Sequence, residues 1–119
     1  MNRAGLLPGV ADSNILNCGQ RPGTDWLPGE VDVSIRPGWF YHSKEDGAVK
    51  SVAQLLKIYY ESVGRGCNLI LNLPPDRRGQ IHENDVKALR EWRQVLAATF
   101  ANDLAKGAKA TASNTRGQD

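Results

Sequence analysis

The stretch "EVDVSIRPGWFYH", from Glu30 to His42, alternates apolar and polar residues before it becomes aromatic. Alternation with a period of two predicts a strand over Glu30–Arg36 whose two faces differ in polarity. The apolar face comprises Val31, Val33 and Ile35, and the polar face comprises Glu30, Asp32, Ser34 and Arg36. The Pro-Gly pair that follows Arg36 predicts the end of this strand.

Three further elements are predicted downstream. Ser51–Val63 has apolar residues at helical spacing and opens with a capping-box pattern, and Gly64 suits the left-handed position after it. "CNLILNL" (67–73) is apolar on both parities, which predicts a strand buried on both faces. The last helix spans His82 to about Phe100, with an inner stripe of Val86, Leu89, Trp92 or Arg93, Leu96 and Phe100.

The predicted order is strand, helix, strand, helix, which is typical of an α/β protein with parallel strands. Two strands make only a marginal sheet. We therefore expect the chain to be the last βα units of a larger structure, either an incomplete (β/α)₈-like barrel or an open α/β sheet. In a barrel, the active site lies at the carboxyl ends of the strands.

The flanks differ in composition from the centre of the chain. Residues 1–29 are rich in Gly, Pro, Asn and Asp and are predicted to be a loop-rich segment. Residues 30–104 contain the four predicted elements. Residues 105–119 are small and polar, which predicts a linker or the first residues of a further domain.

Composition excludes several classes of partner. The net charge is only +2 and no basic block is present, so nucleic acid is not an expected partner. Cys18 and Cys67 lack metal-ligand spacing and are expected to be free thiols, and no metal or cofactor is expected. No apolar run is long enough for a membrane span. No feature indicates a compartment.

Glu30 and Asp32 are the candidate catalytic residues. Residues i and i+2 of a strand point the same way, about 6–7 Å apart, and glycosidases use a pair of carboxyl groups. The alternative is a solvated strand face on which Asp32 pairs with Arg36.

Aromatic and polar residues extend this hypothesis. Trp39 and Trp26 are candidate walls of a sugar site, since aromatic faces pack on the apolar faces of sugar rings; the alternative is a hydrophobic plug. Asn72 lies at the end of the second predicted strand and is a candidate for orienting a neighbouring loop. The alternative is that its side chain only hydrogen-bonds to nearby backbone. Arg77 and Arg78 are predicted to be solvated in a turn.

Three blocks of the sequence closely resemble α-L-fucosidases of glycoside hydrolase family 29. They are "WLPGEVDVSIRPGWFYH" (26–42), "VKSVAQLLKIYYESVGRGCNLILNLPPDRRGQIHENDVKALREW" (49–92) and "AKGAKATASNTRG" (105–117). The resemblance is strongest to the branch that prefers α-1,3/1,4-linked fucose. It implies a (β/α)₈-like barrel followed by a β-sandwich, and a metal-free, retaining exo-glycosidase acting on fucosylated oligosaccharides or glycoconjugates.

The resemblance also implies roles for individual residues. Glu30 would be the acid/base, with Asp32 as the fallback, and Trp39 would contribute to the sugar pocket. The strand of the aspartate nucleophile and the fucose-binding histidines have no counterpart in this sequence. We therefore expect the chain to be inactive alone, with the remainder of the enzyme as a possible partner. A non-catalytic carbohydrate-binding or interaction module and a non-functional remnant are the alternatives.

Overall fold

The computed structural model describes residues 14–15, 19 and 22–113. Within them the predicted order of elements is confirmed. Strand β1 spans Glu30–Ser34, helix α1 Val52–Ser62, strand β2 Asn68–Asn72 and helix α2 Glu83–Thr99. Short 3₁₀ turns at Ser43–Glu45 and Val63–Arg65 lie between them. The architecture is therefore α/β, with a two-stranded sheet and two helices.

The two strands pair in parallel, as their order in the sequence predicted. The register runs in step from Glu30 opposite Asn68 to Ser34 opposite Asn72. β1 is two residues shorter than expected because the backbone leaves the ladder after Ile35. The carbonyl of Ile35 accepts from the Lys50 amide at 2.9 Å, and the Arg36 amide bonds to Ser34 Oγ at 3.3 Å.

Helix α1 begins with the predicted capping box. Ser51 Oγ accepts from the Gln54 amide, and Gln54 Oε1 accepts from the Ser51 amide at 2.9 Å. The prediction for Gly64 is wrong. A 3₁₀ turn continues the chain beyond α1, so the left-handed position falls on Gly66, which has φ of 81°.

The expectation that β2 is buried on both faces is wrong for the described residues. Leu69 and Leu71 are half-buried, whereas Asn68 is exposed and Ile70 is 45% exposed. Register places Ile70 opposite Asp32, which is also exposed. One face of the sheet is therefore open in this chain, and it is the face that carries Glu30, Asp32 and Ile70.

Helix α2 packs against α1 through aromatic side chains. The ring of Tyr59 meets Trp92 at 6.2 Å and Phe100 at 5.9 Å. The stripe follows Trp92, because Arg93 is exposed, and Phe100 at its end is 54% exposed. The fully buried apolar side chains are Ile35 and Leu55, so the core is small.

Several other expectations concern the flanks and special sites. Cys67 is a free thiol, whereas Cys18 lies outside the described residues. No described helix is long and apolar enough to cross a bilayer. The described part of the chain contains no group of three or more His, Cys, Asp or Glu arranged to hold a metal ion. The predicted domain boundaries stay predictions.

Candidate functional site

The carboxyl ends of β1 and β2 meet at one edge, because the strands are parallel. The segment after β1 includes residues 37–42, which we call the aromatic loop. The segment after β2, residues 73–82, leads to α2. A recess of about 360 Å³ lies between these segments, lined in part by Tyr41, Arg78 and His82. This edge therefore holds the candidate site.

The backbone of the aromatic loop is fixed by three side chains that donate to its carbonyls. Ser34 Oγ donates to the Gly38 carbonyl at 2.7 Å. Asn72 Nδ2 donates to the Trp39 carbonyl at 2.9 Å and to Ser34 Oγ at 3.1 Å. Arg36 Nη1 approaches the His42 carbonyl at 3.4 Å. The prediction that Asn72 orients a neighbouring loop is confirmed.

Two aromatic rings on this loop are exposed to solvent although the backbone of the loop is held by hydrogen bonds. Trp39 is 51% exposed and Phe40 is 78% exposed. A large exposed aromatic surface on a fixed backbone is uncommon unless it binds something. The loop therefore presents an apolar platform at the strand ends.

Arg36 lies beneath the loop and is completely buried. Its Nε and Nη2 donate to the buried Asp85, the shortest contact being 2.6 Å from Nη2 to Oδ2. Its Nη1 donates to Asp46 Oδ1 at 3.0 Å. Hydrogen bonding to Asp85 raises the pKa of Arg36 above its ordinary value, against the opposing effect of burial. The expected pair of Arg36 with Asp32 is wrong.

Tyr41 joins the loop to this buried charge. The guanidinium carbon of Arg36 lies 4.8 Å from the centre of the Tyr41 ring, which is cation–π distance. The Tyr41 hydroxyl donates to Asp46 Oδ2 at 3.3 Å. Burial, followed by the charge of Asp46, raises the pKa of Tyr41. The Tyr41 ring also stacks on the His82 ring, with the ring centroids 6.0 Å apart.

The turn after β2 is held by a second arginine–carboxylate pair. Asp76 is buried, and its Oδ2 accepts from Arg78 Nε at 2.9 Å and Nη2 at 2.6 Å. Arg78 also reaches Glu83 at 2.8 Å. Arg77 is exposed as predicted, but Arg78 is bound rather than simply solvated.

Asp76 gives a prediction for the pH dependence of stability. Hydrogen bonds from Arg78 hold its pKa below the ordinary value. A carboxyl group whose folded pKa is lowered contributes stability above its unfolded pKa, about 4, and loses it as pH falls through the folded pKa. We expect Asp76→Asn to reduce stability at pH 7 and to flatten the loss of stability below about pH 4.

Urea midpoints between pH 7 and pH 2.5 measure this effect. Arg78→Met removes the largest cause of the lowered pKa, while the backbone amides of residues 78 and 80 still donate to Asp76, so it should reproduce part of the flattening. Arg77→Met leaves the pair intact and is the matched control. An unchanged acid slope in both Asp76→Asn and Arg78→Met would contradict the prediction.

Three of the sequence-predicted site residues lie away from this edge, at or towards the amino end of β1. Glu30 is the first residue of β1, and Asp32 shares its exposed face. Trp26 is 80% exposed, four residues before Glu30. The rise along a strand puts the backbone of Glu30 on the order of 13 Å from that of Ser34. The structure therefore does not group Glu30, Asp32 and Trp26 with Trp39.

Sequence reasoning missed the carboxylates that organise the site. Asp85 lies 49 residues from Arg36, and its place in the first turn of a helix is an ordinary one for an acidic residue. Asp46 follows the 3₁₀ turn at Ser43–Glu45 and belongs to no predicted element. Glu45 has a buried Oε2 without a hydrogen-bond partner, which no sequence pattern indicated. Only Arg36, a charge at the end of a short strand, offered a signal.

Comparison with known proteins identifies the family. The family model for α-L-fucosidase matches residues 17–99. Alpha-L-fucosidase 1 of Arabidopsis thaliana is 44% identical over 116 residues, which is 98% of this chain and 22% of that protein. The chain spans about a fifth of the length of the curated relatives it matches.

Solved structures agree with the sequence match. The crystal structure of SpGH29 is 42% identical, with a TM-score of 0.75 over 92% of this chain and 24% of that one. A Ruminococcus gnavus family 29 fucosidase in complex with fucose is 32% identical, with a TM-score of 0.63 over 75% of this chain and 17% of that one. The matched residues include both strands, both helices and the aromatic loop. The chain therefore belongs to the α-L-fucosidase family, glycoside hydrolase family 29.

Proposed function

We propose that this chain supplies part of the substrate-binding end of a retaining α-L-fucosidase that removes terminal α-L-fucose from glycans. The observation that carries the proposal is the exposed Trp39 ring on a backbone fixed by Ser34 and Asn72. The fucose complex of the Ruminococcus gnavus relative supports the choice of sugar.

The architecture supports this placement. We propose that β1–α1 and β2–α2 are the last βα units of a (β/α)₈-like barrel, over residues 30–104, preceded by a loop-rich segment and followed by a linker or β-sandwich start. Barrel enzymes bind substrate at the carboxyl ends of their strands. Trp39 and Asn72 lie at that end in this chain.

The chemistry of fucose suits such a platform. L-Fucose lacks the 6-hydroxyl group and carries a methyl group there, so one side of the sugar is unusually apolar. An aromatic face packs on that side through dispersion and through the attraction of C–H groups for the negative face of the ring. Trp39 is the proposed contact, and Phe40 extends the same surface.

The proposal for the acid/base is Glu30, with Asp32 as the fallback, and it rests on the resemblance alone. Retaining glycosidases need two carboxyl groups about 5–5.5 Å apart. Glu30 and Asp32 share a face but lie at the amino end of β1. The resemblance thus favours a site near the amino end of β1, beside Trp26. The barrel geometry favours a site at the carboxyl ends of the strands, beside Trp39.

A titration with L-fucose distinguishes these ends and tests the proposed function. In a ¹⁵N–¹H spectrum, each tryptophan indole gives its own signal. We expect the Trp39 signal to shift on binding, and Trp39→Ala to weaken binding by roughly tenfold or more, as for an aromatic anchor. Trp26→Ala, the matched control at the amino end, should change affinity less than about threefold.

The outcomes separate the rival functions. A larger effect of Trp26→Ala would place the sugar beside Glu30 and overturn the assignment to Trp39. No response of any indole at millimolar fucose would refute the binding proposal for this chain. Saturable binding without turnover is expected of this chain in either case. Binding without turnover by the whole enzyme would favour a carbohydrate-binding module, a function that the exposed Trp39 and Phe40 rings also suit.

A further inference from the structure

The buried pair of Arg36 and Asp85 reaches the aromatic loop directly. Both side chains are fully buried, and Asp85 engages Nε and Nη2 of the guanidinium. That pairing aims the remaining nitrogen, Nη1, at Asp46 and at the His42 carbonyl. Because a guanidinium is planar, fixing one side of it fixes the direction of the other.

His82, which caps α2, and Asn84 in its first turn both contact Asp46, just beyond the aromatic loop. Asn84 Nδ2 donates to the Asp46 carbonyl at 2.7 Å. His82 Nε2 lies 3.4 Å from Asp46 Oδ2, the oxygen that also accepts from the Tyr41 hydroxyl. The start of α2 thus contacts the segment after β1. The side chains that make these contacts are not part of the apolar stripe of the helix.

We propose that Asp85 is a positioning residue for Trp39 and Phe40, acting through Arg36 on the aromatic loop. The proposal rests on the proposed function, since it concerns the surface that would receive the sugar. A loop that is already ordered loses less conformational freedom when it binds, so its affinity is higher. Asp85 itself contacts no substrate in this arrangement.

The energetics of buried ion pairs favour positioning over stability as the role of this pair. Replacing such a pair by apolar residues of similar volume is often neutral or stabilising, because two charges no longer have to be desolvated. Apolar residues would fill the space between β1 and α2. They would leave Asp46 and the His42 carbonyl without the guanidinium that now orients them.

The double variant Arg36→Met/Asp85→Leu tests this directly in the full chain. We expect cooperative unfolding to be retained, with a midpoint close to that of the unchanged chain. The order parameter of the Trp39 indole is expected to fall from about 0.85, typical of rigid groups, to below about 0.6. The matched control, Lys87→Met/Glu91→Leu, removes an exposed ion pair of α2 and should leave that order parameter unchanged.

A rigid Trp39 indole in a folded double variant would overturn the proposal, because Ser34 and Asn72 would then suffice. If the double variant does not fold, Asp85→Asn provides the test, since it retains the shape of the side chain but removes the negative charge that holds the Arg36 guanidinium. An unchanged Trp39 order parameter in that variant would equally overturn it. These measurements need no sugar, so the positioning proposal is decided even if L-fucose does not bind.

Discussion

The chain with Arg36 replaced by methionine is expected to lose about 3–5 kcal/mol of unfolding free energy. Arg36 and Asp85 are both fully buried, and they are joined by a 2.6 Å contact. Removing the guanidinium leaves the Asp85 carboxylate without its positive partner, and desolvating an unpaired charge is costly. Single domains are stable by only about 5–15 kcal/mol, so this loss would be a large fraction of the total.

Urea denaturation followed by circular dichroism measures this loss. Arg77→Met is the matched control, because Arg77 is exposed, and its cost should be within about 0.5 kcal/mol. Asp85→Leu alone should be destabilising as well, since it leaves Arg36 buried with only Asp46. A cost for Arg36→Met no larger than that for Arg77→Met would show that the pair contributes nothing to stability.

Local periodicity was sufficient to predict the order of elements but not the buried charges. The alternation of Val31, Val33 and Ile35 predicted β1, and Ser51 with Gln54 predicted the start of α1. Both signals concern neighbours in sequence. The contact between Arg36 and Asp85 joins residues 49 positions apart, and neither position differs locally from a solvated charge.

For the same reason, only part of the candidate site could be predicted from the sequence. Trp39 was selected for its aromatic face and Asn72 for its place at the end of a predicted strand, and parallel pairing brings the strand ends together. Glu30 and Asp32 were selected from the spacing of two carboxylates, which is the same at either end of a strand. Only the family resemblance gave Glu30 a role, and the strand direction places it at the amino end.

The exposed face of β2 has a physical explanation that sequence alone does not contain. "LIL" at 69–71 is apolar throughout, which is typical of strands covered on both faces. In the described residues, helices cover one face and Ile70 remains 45% exposed on the other. Such a pattern is typical of strands in parallel sheets, and we propose that further strands of a (β/α)₈-like barrel cover Ile70 in the whole enzyme.

The second large effect concerns catalysis: the 119-residue chain is expected to show no turnover of 4-nitrophenyl α-L-fucoside. Retaining hydrolysis needs a nucleophile and an acid/base about 5–5.5 Å apart. At the carboxyl ends of the described strands, Asp76 is paired with Arg78, and Asp85 is paired with Arg36. Glu45 has a buried Oε2 without a hydrogen-bond partner, but one carboxyl group cannot fill both catalytic roles. Towards the amino end of β1, the backbones of Glu30 and Asp32 are about 6–7 Å apart. Both residues are exposed to solvent.

Release of 4-nitrophenol over several days, compared with buffer alone, measures this, and the expected rate is on the order of a millionfold or more below that of a working glycosidase. Glu30→Gln should leave the rate unchanged, and an active family 29 fucosidase is the positive control. Turnover by the chain that disappears in Glu30→Gln would refute the prediction and establish Glu30 as a catalytic carboxylate. Turnover that survives Glu30→Gln but disappears in Trp39→Ala would also refute it. It would instead place a complete site at the carboxyl ends, because Trp39 lies on the loop at that end.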